Sequence, residues 1–240
     1  MSKSPENQVA TCEELTHQPE EFRTACEKIV VSHAINELYG ARVFDEPAVA
    51  LAPTPYAKWL TCRVAMEEYG HHVRFFELGR EMGISEARML PEQSDKKPLS
   101  VFDFALETWE EFCVLKLLGD LAEILQVEDL VQCSFHPLRN LARMTMPEER
   151  FHAQFGEDFC EDLCKTEAGR KAVQDAVDRI YPRLLPFFGA SRSRNNAIFR
   201  KWGIKRRTNE EMREDYMARA RALVEDKLGL RLPDVPAEAA

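Results

Sequence analysis

Glycine is scarce in this chain, 10 residues in 240, and valine and isoleucine seldom alternate with polar neighbours. That combination argues against a β-rich fold and for helices. No apolar run reaches the ~18 residues of a membrane span, and Met1–Glu20 is polar and acidic with no apolar centre, so neither a membrane segment nor a secretory signal is expected. The seven cysteines are odd in number and contain no Cys-x-x-Cys, which speaks against a disulfide framework, a thiolate zinc site and an iron–sulfur cluster. Reduced thiols in a cytoplasmic protein are the simplest reading. A glycine-rich flavin or nicotinamide fingerprint is also missing.

Hydrophobic residues make up 45% of the chain, enough for a substantial core. The formal net charge is −9, yet Arg192–Arg207 holds seven Lys or Arg and no acid, leaving −16 for the rest once those seven are set aside. Such a chain is a poor general nucleic-acid binder. Its basic run is most simply a solvated face or a partner contact, and otherwise a local site for phosphate.

Four long amphipathic stretches follow a leader over 1–19, which is expected to be mobile. The first, 20–44, places Phe22, Cys26, Ile29, Val30, His33, Ala34, Glu37, Leu38 and Ala41 at three- and four-residue spacing, and Asp45-Glu46-Pro47 should end it. The second, 56–82, buries Trp59, Leu60, Val64, Ala65, Glu68, His71, Phe75 and Leu78. A third is expected over 100–127. The fourth, 137–165, runs along Leu138, Leu141, Ala142, Thr145, Glu149, His152, Phe155 and Phe159, with a kink or local break expected at Pro147. Between the second and third lie 17 residues, 83–99, that span about 55 Å when extended, whereas a 27-residue helix is about 40 Å long. That segment can return along a whole helix. Beyond 166 come a shorter helix to about residue 180, the basic segment, an amphipathic stretch over 209–228, and a free tail from Leu232.

Two of these helices carry Glu-x-x-His: Glu68-Tyr69-Gly70-His71 and Glu149-Arg150-Phe151-His152. Residues i and i+3 share a helix face, so one carboxylate and one imidazole can meet at a point. One such pair is usually chance. Here both interrupt apolar stripes, and Glu37 does the same on the first helix, where an unpaired carboxylate is costly. On the third helix Asp120 lies with Cys113, Leu117, Ile124 and Val127, and Glu107, Glu110 and Glu111 gather near the expected start. Glu37 and Glu68 are 31 residues apart; Asp120 precedes Glu149 by 29, against 39 for Glu110, 38 for Glu111 and 26 for Glu123. Face and spacing favour Asp120, with Glu110 the nearest alternative. Two Glu-x-x-His helices and two further carboxylate helices form the ligand set of ferritin-like dimetal bundles. Four carboxylates and two imidazoles suit iron, or manganese, better than structural zinc, and balance two divalent ions. The expected architecture is therefore all-α: a ferritin-like four-helix bundle over 20–166 with one long crossover, and a C-terminal helical extension over 167–240. Of the remaining histidines, His72 points away from His71 to the surface or to a place behind the ligands, His33 can serve Glu37 or be a core histidine, and His136 is structural.

The stretches Asn36-Glu37-Leu38, Met66-Glu67-Glu68-Tyr69-Gly70-His71, Leu118-Gly119-Asp120, Pro147-Glu148-Glu149-Arg150-Phe151-His152 and Trp202-Gly203-Ile204-Lys205-Arg206-Arg207-Thr208-Asn209 resemble the catalytic subunits of ring-1,2-phenylacetyl-CoA epoxidases, in the phenylacetic acid catabolic protein family of ferritin-like di-iron oxygenases. The last lies outside the bundle, where metal ligation does not explain it. The resemblance implies two iron ions on Glu37, Glu68, His71, Asp120, Glu149 and His152, O2 and an aromatic acyl-CoA as substrates, and an oligomer with a separate reductase and a sister ferritin-like subunit. Lys205, Arg206 and Arg207 become candidates for the coenzyme A phosphates. The alternatives are an iron- or manganese-handling protein and a non-catalytic sister subunit.

Overall fold

A computed structural model describes residues 8–234. Among the described residues nine α-helices follow in order: α1 Cys12–Thr16, α2 Glu20–Gly40, α3 Glu46–Leu51, α4 Pro55–Glu81, α5 Trp109–Leu130, α6 His136–Leu163, α7 Glu167–Leu184, α8 Arg194–Lys201 and α9 Asn209–Arg221. Among the described residues there is no strand, only an isolated bridge between Val9 and Phe135. Helix α2 packs on α4, and α5 on α6, and these four make the bundle. The crossover from α4 to α5 carries short 3-10 turns at Glu86–Met89 and Ser100–Phe102. No helix among the described residues is long and apolar enough to cross a membrane.

Local chemistry explains where the helices start, and where they depart from expectation. Helix α4 starts at Pro55 because the Thr54 hydroxyl accepts from Ala57 N and proline is tolerated in the first turn. Helix α2 does not stop at Asp45-Glu46-Pro47. It passes through a π-helical stretch, Ala41–Asp45, into α3, and Pro47 sits in the first turn of α3, just past the wider π turn. Helix α5 begins nine residues later than its apolar pattern implied. Thr108 and Glu111 form a capping box, and the apolar residues upstream pack as a 3-10 turn with Val101 buried. Helix α6 runs through Pro147 without a break.

The leader, the C-terminal extension and the tail all pack on the bundle. From residue 8 onward the leader joins the body: Val9 N donates to Ser134 O, His136 N donates to Val9 O, and Leu15 is buried. Residues 1–7 lie outside the described part. Helices α7 and α9 share one core with the bundle through Val173, Val177, Tyr181, Met212 and Tyr216, and Leu232 of the expected tail is buried in it too. Covered by α6, α7 and α9, α5 is buried along nearly its whole length. Trp59, expected inside, is 63% exposed on the outer side of α4.

The α5–α6 contact depends on Gly156. A Cβ there would stand 2.3 Å from Leu117 N and 2.7 Å from Cys113 O, backbone atoms that cannot turn aside. Gly156 is one turn beyond His152, so this close approach sets how deeply α6 seats its imidazole. Gly156→Ala is expected to cost about 1–3 kcal/mol, read from urea unfolding at unchanged m-value; a loss within about 0.5 kcal/mol, as at an ordinary surface position, would show that the helices part freely.

Candidate metal centre

Four helices deliver the six donors to one buried layer: Glu37 from α2, Glu68 and His71 from α4, Asp120 from α5, Glu149 and His152 from α6. His71 Nδ1 lies 3.0 Å from Glu149 Oε1, 3.4 Å from Glu68 Oε2 and 3.8 Å from Glu37 Oε2. His152 Nδ1 lies 3.1 Å from Glu68 Oε1 and 3.9 Å from Asp120 Oδ2. The donors sort into two groups, Glu37–Glu68–His71–Glu149 and Glu68–Asp120–Glu149–His152, within each of which the ligand atoms lie within 4.8 Å of one another. Glu68 and Glu149 belong to both groups.

Both imidazoles are held from behind, and the holding is crossed. His71 of α4 donates Nε2–H to Glu148 Oε2 of α6 at 2.9 Å, and His152 of α6 donates Nε2–H to Glu67 Oε2 of α4 at 2.9 Å. A carboxylate only accepts, so these partners fix the ring orientation and leave Nδ1 facing the layer. Arg74 anchors Glu148, and Arg63 Nε anchors Glu67 at 2.9 Å. His71 Nδ1 and His152 Nδ1 make no hydrogen bond among the described residues although buried. Two inward imidazole nitrogens among four carboxylates fit a pair of hard divalent cations.

The electrostatics show a shortage of positive charge. Burial raises the Glu149 carboxyl to about 7 and carries Asp120 well above the usual carboxylate range, with Lys116 pulling Asp120 the other way. Glu68 goes the opposite way: burial opposes its charge, but Lys116 and His152 hold it well below. Burial works against charging both imidazoles, yet their carboxylate neighbours lift His71 well above its ordinary value and His152 to about 10. A bound cation would reverse this logic.

Several residues of the layer went unread in the sequence. Lys116 of α5 is buried, its Nζ 2.5 Å from Glu68 Oε1, 3.0 Å from Asp120 Oδ2 and 3.2 Å from Asp45 Oδ1. Its sequence signal is a lysine inside Phe112-Cys113-Val114-Leu115-Lys116-Leu117-Leu118, four residues before an acid. Asp45 sits in the π-helical stretch, taken in the sequence for a helix end. Glu67 and Glu148 are signalled by repetition, since both motifs read Glu-Glu-x-x-His. Of the rejected acids, Glu111 caps α5 and pairs with Arg179, whereas Glu123 lies 3.4 Å from His33 Nδ1, which is itself 3.6 Å from Glu37 Oε1. His72 is not at the surface: it is buried, its Nδ1 2.8 Å from the Ala34 carbonyl oxygen of α2. His136 heads α6 with Nε2 3.0 Å from Gln8 Oε1.

A cavity of about 730 Å³ reaches the layer, with Glu37, Glu68, Asp120 and Glu149 in its lining. Its apolar wall comes from Phe44, Leu99, Phe102, Phe187 and Phe188, and the exposed Lys28, Arg88 and Lys96 line it as well. Of the three basic candidates only Lys205 lines this cavity. It is buried, hydrogen-bonds the neutral Gln126 and has no ion pair among the described residues. Arg207 is committed to Asp129 and Asp215, and the exposed Arg206 reaches Gln132.

A helical bundle with one long crossover and a carboxylate-rich, two-imidazole layer at its middle defines the ferritin-like class of dimetal carboxylate proteins. The chain belongs to the phenylacetic acid catabolic protein family, whose model matches residues 1–239. It is similar to the A subunit of the 1,2-phenylacetyl-CoA epoxidase of Escherichia coli (strain K12), 27% identical over 221 residues that cover 90% of this chain and 71% of that protein.

The crossed supports make a prediction. Glu67→Gln and Glu148→Gln should each weaken ferrous ion binding about 10- to 100-fold while leaving the helical circular dichroism unchanged. Wild-type affinity in anaerobic titrations of both variants would show that the imidazoles need no support from behind.

Proposed function

We propose that this chain is the catalytic subunit of a multicomponent di-iron monooxygenase that inserts one atom of O2 into the ring of an aromatic acyl-CoA, by epoxidation of a phenylacetyl-type substrate. The observation that carries the proposal is the buried set of four carboxylates and two imidazoles, whose carboxylates line a large apolar-walled cavity, in a chain of this family. All six donor positions are filled, which favours catalysis over a non-catalytic sister role, and a cavity of this size favours it over simple iron handling.

When bound, two iron ions would supply the reduction of O2, one atom of which would go to the ring and the other leave as water. The protein's share is charge, orientation and dryness. Glu37, Glu68, Asp120 and Glu149 neutralise two divalent ions, and His71 and His152 present Nδ1 in the orientation that Glu148 and Glu67 fix. Phe44, Phe102, Phe187 and Phe188 give an aromatic ring an apolar seat and keep water from the layer. Lys205, with Lys28, Arg88 and Lys96, gives the cavity a cationic side for coenzyme A phosphates. The two electrons per turnover come from a separate reductase, since the chain carries no flavin, nicotinamide or iron–sulfur signature.

Glu68→Ala and Glu149→Ala should each abolish metal retention in iron-loaded protein, together with acyl-CoA-dependent O2 consumption, at an unchanged circular dichroism spectrum. Two metals per chain in either variant would remove the ligand assignment. Lys205→Gln should weaken thioester binding about tenfold, and Arg206→Gln should leave it unchanged, as read by calorimetry with an acyl-CoA. Equal losses in the two variants would place the phosphates elsewhere.

A further inference from the structure

The two halves of the metal layer differ in one respect that the donor residues do not reveal. Lys116 Nζ touches Glu68 Oε1 at 2.5 Å and Asp120 Oδ2 at 3.0 Å, so an ammonium already bridges two of the four donors in the Glu68–Asp120–Glu149–His152 half. Among the described residues no lysine or arginine pairs with Glu37 or Glu149; the charged partners of these two are imidazoles. We propose that Lys116 competes with a metal ion for the Asp120–His152 half, so that the two positions fill unequally and in order, the Glu37–His71 half first. This inference rests on the dimetal reading given above.

The argument is one of space and charge. A small divalent ion needs carboxylate oxygens at about 2.0–2.2 Å. Glu68 Oε1 and Asp120 Oδ2 cannot both turn to such an ion while also holding one ammonium between them. A dication seated among them would stand close to Nζ in a poorly screened interior, where like charges repel most strongly. Entry of the second ion therefore requires Lys116 to withdraw. One carboxylate offers it a resting place: Asp45 Oδ1, 3.2 Å from Nζ, which belongs to neither donor group. With Lys116 paired to Asp45 alone, Glu37, Glu68, Asp120 and Glu149 are left to balance two dications. With Lys116 in its present position, that half is one negative charge short. Asp45 thus becomes the parking partner of a movable internal counter-ion, and the π-helical stretch that carries it acquires a purpose.

Anaerobic calorimetric titration with Fe2+, followed by metal analysis after gel filtration, tests this. The wild-type chain should bind a first ion tightly and a second at least about tenfold more weakly. Lys116→Met should tighten the second step about 10- to 100-fold, by the scale on which groups behind metal ligands act, and leave the first unchanged. Because Lys116→Met strands Asp45, the double variant Lys116→Met/Asp45→Asn removes the pair together and should show the same tightening with a wild-type circular dichroism spectrum. Two equal steps in the wild type, or a second step unmoved in the folded double variant, would overturn the proposal while leaving the dimetal reading standing. Absence of any bound ion in the wild type would overturn both.

Discussion

Charge taken out of water is what organises this bundle. Glu37, Asp45, Glu68, Asp120 and Glu149 lie at one level of a helical interior otherwise built from leucine, valine, phenylalanine and cysteine. Removing one partner from a buried pair costs about 3–5 kcal/mol, so helices that carry such groups must hold a fixed register. The crossed pairs His71–Glu148 and His152–Glu67 lock α4 to α6, Lys116 ties α5 to α4 and to Asp45, and Gly156 lets α6 come close enough to α5 for those contacts to form. Because the crossed pairs involve no metal, they orient the imidazoles before any cation binds.

The C-terminal extension makes that register possible. Helix α5 carries Glu111, Lys116, Asp120 and Asp129 in buried positions, too many charges for a helix with one wet side to hide. Helices α7 and α9 close over it with Tyr181 and Tyr216, and basic groups outside the bundle answer its acids: Arg179 meets Glu111, and Arg207 meets Asp129 through both its side chain and its backbone N–H. The end of the basic segment is thus an internal anchor. Arg207 is directed at the chain's own third bundle helix, Lys201 pairs with Glu21 of α2, and Lys205 alone of the last three cations lines the cavity.

How much of this was legible depended on whether the signal was local. Glu37, Glu68, His71, Asp120, Glu149 and His152 could be read because each interrupts an apolar stripe at helical spacing, and a charge there demands a partner. Lys116 breaks its own stripe as plainly, but its meaning lies in Asp45 and Glu68, which sit 71 and 48 residues away. Asp45 was hidden by Pro47, which reads as a stop signal and is in fact a first-turn proline. The start of α5 was written in Thr108-Trp109-Glu110-Glu111, yet an apolar run upstream imitated helical periodicity and masked the capping box. Trp59 and His72 show the limit from the other side. Hydrophobicity placed the tryptophan inside, the turn away from His71 left His72 open between the surface and a place behind the ligands, and neither argument knows which neighbouring helices cover α4.

The cavity draws its donors and its walls from different parts of the chain. The acids come from the four bundle helices, whereas Leu99 and Phe102 belong to the crossover, and Phe187 and Phe188 to the 3-10 turn Leu185–Phe188 after α7. Substitutions in those two connecting segments can widen, narrow or reshape the seat for an organic ligand without displacing a single donor atom. In a fold assembled this way, selectivity is free to diversify by changes in connecting segments while the oxygen chemistry stays as it is.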